Sequence, residues 1–287
     1  MTEEKNCGHI PPMMAGNRPA DGGHLLIDTR EEYEDFIKRE PKTKKFIKRF
    51  MGGREFINNI ERWCLWLVDA TPQELHDMPE VMKRINLCKQ DRLKGAPDRQ
   101  TLAATPWLFR DTMNPKNYIA VPKTSSEKRY YIPMGYLDDS VIPSDGLHIV
   151  PEGSLYHFGV LTSRVHMAWV RRVAGRLEVS YRYSNTLVYN NFPWPAVDSK
   201  DRQRITATAQ KILDARALYP DSSFAALYDD SIMPKELRKA HNENDIAVCE
   251  AYGWNKNISE EDILENLFEL YQWYLAWQES RKQRVNR

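Results

Sequence analysis

The chain has 287 residues, 41% hydrophobic and 28% charged, with a formal net charge of +1. This length predicts two units with a sizeable buried core, the globular composition excludes a disordered chain, and no run approaches the ~18 apolar residues of a membrane span. Cys7, Cys64, Cys88 and Cys249 lie far apart with no CxxC, which argues against a zinc ribbon or a disulfide framework and fits a reducing cytoplasm.

In chain order, residues 8–24 are rich in Gly and Pro and read as an irregular lead-in. Asp28-Thr29 then caps REEYEDFIKR, an amphipathic helix stopped by Pro41. Residues 36–54 hold eight Lys/Arg against one acidic residue, and a strand is expected within 62–70 (RWCLWLVDA). Thr71-Pro72 opens a helix that restarts at Pro79 and runs to about Lys94. Residues 117–122, 129–133 and 146–151 are short, β-branched or aromatic, and read as strands of a mixed sheet. Thr162-Ser163 caps RVHMAWVRRVAG, which Gly175 ends. Two prolines in Phe192-Pro193-Trp194-Pro195 allow neither helix nor central strand and place a junction there. Helices are expected from Asp198 to Tyr219, Pro234 to Tyr252 and Ser259 to about Ser280. The expected fold class is α+β: a mixed-sheet domain flanked by helices over 1–195, then a smaller all-α unit over 196–287.

Charge is segregated along this chain. Residues 160–182 hold five Arg against Glu178 alone, whereas Asp221 to Glu269 hold twelve Asp/Glu against four Lys/Arg. One part is suited to a polyanion and another to a solvated acidic surface.

In GRLEVSYRYSNTLVYNNFPWP (175–195), strict alternation would put Arg176, Glu178, Ser180 and Arg182 on one face of a strand, about 6.6–7 Å apart. Arg can donate a fork to guanine, Glu can accept from the cytosine amino group, and Ser can do either, so the row has base-reading chemistry. A solvent-exposed ion-pair ladder is the plainer alternative for the strand alone. Its surroundings tip the reading toward duplex DNA, with Lys44, Lys45, Arg164, Arg171, Arg172 and Arg176 as phosphate contacts and Glu178, Ser180 and Arg182 as base readers.

No catalytic constellation is legible. His148, His157 and His166 recur every nine residues, but on a strand, a turn and a helix, without the spacing of a metal set. Asp138-Asp139 reads as a polar turn. Asn191-Phe192-Pro193-Trp194 is similar to the Asn/Asp-Pro-Pro-aromatic loop of amino-methyltransferases but lacks its first proline, and no Gly-rich nucleotide loop precedes it.

Six long runs carry a family resemblance: GNRPADGGHL (16–25), EFINNIERWCLWL (55–67), SLYHFGVLTSRVHMAW (154–169), GRLEVSYRYSNTLVYNNFPWP (175–195), ILDARALYPDSSFAALYD (212–229) and MPKELRKAHNENDIAVCEAYG (233–253). They resemble the carboxy-terminal part of the MmeI-like family, single-chain restriction–modification proteins that methylate adenine in duplex DNA. The resemblance implies a target-recognition domain up to about residue 195 and a helical region after it. It also implies that the chain is a fragment of a parent whose upstream methyltransferase domain binds S-adenosylmethionine, with no cofactor in this fragment. Glu178, Ser180 and Arg182 would then face the major groove. The competing expectation is a protein-interaction module whose acidic helical surface meets a partner, with no DNA reading.

Overall fold

The computed structural model describes residues 9–285. In chain order its regular elements are β1 (Met14–Ala15), β2 (Leu26–Ile27), α1 (Arg30–Arg39), β3 (Ile47–Met51), α2 (Gly53–Asn58), β4 (Trp63–Leu65), α3 (Pro72–His76), α4 (Pro79–Leu93), α5 (Pro97–Thr101), β5 (Asn117–Pro122), β6 (Thr124–Ser126), β7 (Gly135–Asp138), β8 (Val141–Pro143) and β9 (Leu147–Pro151). They continue with α6 (Leu155–Leu161), α7 (Arg164–Val173), β10 (Gly175–Leu177), β11 (Ser180–Arg182), α8 (Ser199–Ala217), α9 (Phe224–Leu227), α10 (Lys235–Ala251) and α11 (Glu260–Val285). The architecture is α+β, with small sheets and a helical carboxy-terminal part, as the pattern predicts.

The chain divides into two compact units interleaved in sequence, Met14–Ala120 with Tyr136–Ile149 in one and the remaining segments in the other. In the first, β2, β4, β3 and β8 form a sheet in that order, β3 pairing parallel with β8 and antiparallel with β4. Its core is Leu25, Ile27, Phe36, Phe50, Trp63, Leu65, Val81 and Ile142. The basic stretch 47–51 is a strand held between β4 and β8, with Phe50 buried and Lys48 and Arg49 half-buried. Thr29 caps α1 by accepting from the Glu32 backbone N–H, as expected from the sequence. Arg92, near the end of α4, is fully buried. All five of its N–H donors go to carbonyls: Nε to Ala20, Nη1 to Leu102 and Thr105, Nη2 to Pro19 and Leu108, at 2.6–3.2 Å.

In the second unit α6, α8 and α10 pack together around Gly159. A Cβ there would lie 2.7 Å from Ile205 Cγ2 and 3.1 Å from Ala209 Cβ, so only glycine permits this approach of α6 to α8. Asn244 on α10 donates to the Gly159 carbonyl at 2.8 Å and accepts from Thr208 on α8 at 3.0 Å. Residues 129–133, expected as a strand, are irregular. Their conformation is set by burial of Tyr131 and Ile132 and by the Tyr131 hydroxyl donating to Asp245 at 2.6 Å, and tertiary contacts of this kind override a β-rich composition.

These buried groups titrate in opposing senses. Burial pushes the Asp245 carboxyl up to about 7, against the pull of hydrogen bonds from Tyr131 and the Arg164 backbone. Burial also pushes His166 down to about 3, His241 well below its usual value, and His157 downward. Between roughly pH 4 and 7 the folded chain keeps a proton on Asp245 that the unfolded chain releases, so that contribution grows as pH falls. Below about pH 6.5 the unfolded chain protonates histidines that the folded chain keeps neutral, so their contribution to stability falls with pH. Three histidines outweigh one aspartate. Urea titrations should show stability dropping from pH 6.5 to 4.5 and dropping more steeply in Asp245→Asn; equal slopes for the two proteins would contradict this assignment.

Candidate nucleic-acid interface

The run 175–183 is a hairpin rather than one strand. β10 and β11 pair antiparallel with Gly175 opposite Arg182, Arg176 opposite Tyr181 and Leu177 opposite Ser180, leaving a two-residue turn at Glu178-Val179. Glu178 takes a left-handed φ of 52°, a conformation that glycine or asparagine adopts more readily. The backbone N–H of Glu127 holds the turn by donating to the Val179 carbonyl at 3.3 Å. β6 continues the sheet, with Ser126 opposite Ser180, Ser125 opposite Tyr181 and Thr124 opposite Arg182.

Directly paired residues of an antiparallel ladder share a face, so the turn reverses the parity read from the sequence. One face carries Arg176, Tyr181 and Ser125. There Tyr181 and Ser125 are buried, and the Arg176 guanidinium lies 4.1 Å from the Tyr181 ring centroid while donating to Glu127 at 2.9 Å. The other face carries Leu177, Ser180, Arg182, Thr124 and Ser126, with Arg182 and Thr124 exposed. Arg176 therefore leaves the expected row, and Glu178 moves to the tip beside Val179. Leu177 and Val179 are 52% and 62% exposed, and it is Tyr181 and Tyr183 that anchor the hairpin. Tyr183 shares a 2.8 Å hydrogen bond with His166 Nε2, and the His166 and Phe192 rings stand perpendicular with their centroids 4.5 Å apart. Thr124 and Ser126 joined the face unforeseen, because only the pairing of β6 with β11, 56 positions along in the chain, brings them there.

The basic candidates divide by partner. Arg171 Nε and Nη2 grip Glu260 at 2.7 Å each, and Nη1 donates to the Tyr130 carbonyl at 3.2 Å, which ties α11 to α7. Arg164 donates to the Lys256 carbonyl at 3.1 Å and meets Cys249 Sγ at 3.5 Å. Lys45 pairs with Glu74 and lies over the Phe46 ring, on the 3₁₀ turn Pro41–Phe46. Lys44 and Arg172 are exposed. Arg171→Ala should accordingly cost about 1.5–3 kcal/mol of stability by breaking charged hydrogen bonds, read by urea denaturation. An unchanged midpoint would show that the clamp carries no load.

The Asn191–Trp194 turn is a packed corner. Asn191 Nδ2 donates to the Thr186 and Leu187 carbonyls at 3.1 and 3.2 Å, Phe192 and Trp194 are buried against one another, and Trp194 also meets Tyr189. Among the described residues, no group of three or more His, Cys, Asp or Glu is placed to hold a metal ion, and no helix is long and apolar enough to cross a membrane.

Residues 1–196 match the family described as "MmeI, target recognition domain", and residues 197–277 match "MmeI, C-terminal domain". The chain belongs to the MmeI family. It is 42% identical over 271 residues to DNA methyltransferase A of Bacillus subtilis (strain 168), covering 93% of this chain and 30% of that protein. The type IIL restriction–modification enzyme MmeI, solved in complex with DNA, superposes with a TM-score of 0.90 at 42% identity, covering 96% of this chain and 37% of that one. The chain thus spans about a third of the length of these MmeI-family relatives.

Proposed function

We propose that this chain is the DNA sequence-recognition portion of a site-specific adenine DNA methyltransferase of a restriction–modification system, a cytoplasmic protein that binds duplex DNA and reads bases in the major groove. The observation that carries this reading is the exposed hairpin face bearing Ser180 and Arg182 with Glu178 at its tip, in a chain of the target-recognition family. A two-stranded ribbon fits a major groove about 12 Å wide, and Thr124 and Ser126 extend the same hydrogen-bonding face onto a third strand. Residues 1–195 would act as the recognition domain and 196–287 as the helical domain that supports it through α7.

The catalytic step belongs to the upstream methyltransferase domain of the parent. S-adenosylmethionine bound there would supply the methyl group, and the adenine would have to leave the stack to receive it. This chain would fix register on the duplex. Lys44 and Arg172 are exposed for phosphate contact, whereas Lys45, Arg164, Arg171 and Arg176 already hold partners and would act by shaping the hairpin and its supporting helices.

Titration of duplex binding against salt tests the electrostatic half. Arg172→Ala should weaken binding to every sequence alike and shallow the slope of log K against log salt by about one unit. A loss confined to one sequence would remove Arg172 from the phosphate set.

A further inference from the structure

The tip of the β10–β11 hairpin is built from residues that turns disfavour. Two-residue turns between antiparallel strands take Asn, Asp and Gly, which adopt a left-handed φ at little cost and suit a solvated loop. Here the turn is Glu178-Val179, entered from Leu177. Val179 is β-branched, a side chain that packs well within strands and gains nothing from a turn. Glu178 takes the left-handed φ of 52°, and Leu177 and Val179, its neighbours in the chain, are each more than half exposed. Neither is what anchors the hairpin. Tyr181 is buried on the face opposite Leu177, Tyr183 is buried beyond it, and β11 pairs along its length with β6.

The surroundings of the apolar pair decide what covers it. Leu177 stands opposite Ser180 in the ladder and so shares a face with Ser180, Arg182, Thr124 and Ser126. Opposite Arg182 stands Gly175, where an added Cβ would meet nothing closer than the Arg182 Cβ at 4.0 Å, so this side of the ladder is open. An apolar protein partner covering Leu177 would also have to strip water from the Arg182 guanidinium and from hydroxyls on either side, and an unpaired buried charge costs more than two aliphatic side chains contribute. The major groove of duplex DNA presents both kinds of group together: donors and acceptors on the base edges, and the C5-methyl of thymine among them. Facing residues of adjacent strands have Cβ atoms about 4.5–5.5 Å apart, and bases stack at about 3.4 Å, so Leu177 reaches within one or two steps of a base met by Ser180.

We infer that Leu177 and Val179 read the C5-methyl group of a thymine at the hairpin tip, beside the bases met by Ser180 and Arg182. This rests on the reading of the hairpin as a base-reading element and assigns one base type to its apolar part. The contact separates thymine from cytosine, which lacks the methyl and presents an amino donor for which an aliphatic side chain has no acceptor.

The test takes the motif that the 287-residue chain selects from a randomised duplex pool and replaces its thymines, one at a time on either strand, by deoxyuridine. Each replacement removes one methyl group and leaves every hydrogen-bonding edge intact. The wild-type chain should lose about three- to fivefold in affinity at one thymine, the effect of exposing a single buried methyl group to water. Leu177→Ser/Val179→Ser should bind the thymine and deoxyuridine duplexes alike at that position, and with both side chains exposed it should keep the wild-type urea midpoint. A wild-type chain indifferent to every deoxyuridine, or a double variant that still discriminates at the same thymine, would overturn the methyl contact and leave base reading by Ser180 and Arg182 standing. A chain that selects no motif would overturn the reading beneath it.

Discussion

Arg182→Ala is expected to abolish preference at one base position and leave the others intact. A well-placed arginine–base pair carries about 1–3 kcal/mol of discrimination, so enrichment of the preferred base there should fall roughly 10- to 100-fold. Overall affinity should change far less, because Tyr181 and Tyr183, which anchor the hairpin, are untouched. The readout is the base composition of selected duplexes, compared position by position with that of the unaltered chain. Equal losses on every duplex would remove Arg182 from the reading face. Glu178 has a distinct signature, since it sits at the turn with a left-handed φ. There a glycine relieves backbone strain while deleting the carboxylate, which separates the geometry of the tip from its chemistry.

Replacing Arg92 by alanine should be the most destabilising single change in the first unit. The side chain is fully buried and each of its five donors reaches a carbonyl, of which those of Pro19, Leu102 and Thr105 also accept a backbone N–H, from Arg110, Thr105 and Leu108. A loss on the order of 3–5 kcal/mol follows from removing five hydrogen bonds from one buried charged donor at once. Arg92→Lys should rescue little of it, because a compact ammonium cannot span acceptors on residues 19, 20, 102, 105 and 108. A urea midpoint shift of less than about 1 kcal/mol in either variant would mean that the loop around the guanidinium re-satisfies itself.

Local signals were the legible ones. Thr29, Ser163 and Asp198 each accept from the backbone N–H three residues on, so α1, α7 and α8 start where capping chemistry places them. The strands β2 and β8 are two and three residues long and owe their existence to β4 and β3, distant in sequence, which no local pattern reveals. The hairpin was hidden for a related reason. Glu178-Val179 carries none of the Asn-Gly or Asp-Gly chemistry that marks a two-residue turn, so the alternation of 176–182 reads straight through it. Once the chain turns, Arg176 falls on the tyrosine side and Ser180 and Arg182 stay on the open side. Of the polar candidates in this run Arg182 is exposed and Ser180 half-buried, and charge runs could not distinguish the exposed Arg172 from the adjacent Arg171, whose partner Glu260 lies 89 positions away.

The most direct test of sequence recognition is selection of bound duplexes from a randomised DNA pool by the 287-residue chain, at roughly physiological ionic strength, where phosphate contacts do not mask specificity. Enrichment of a short motif, with positions that change when Ser180 or Arg182 is replaced, is the predicted result. Binding that enriches no sequence, or no binding at all, would contradict base reading by this hairpin.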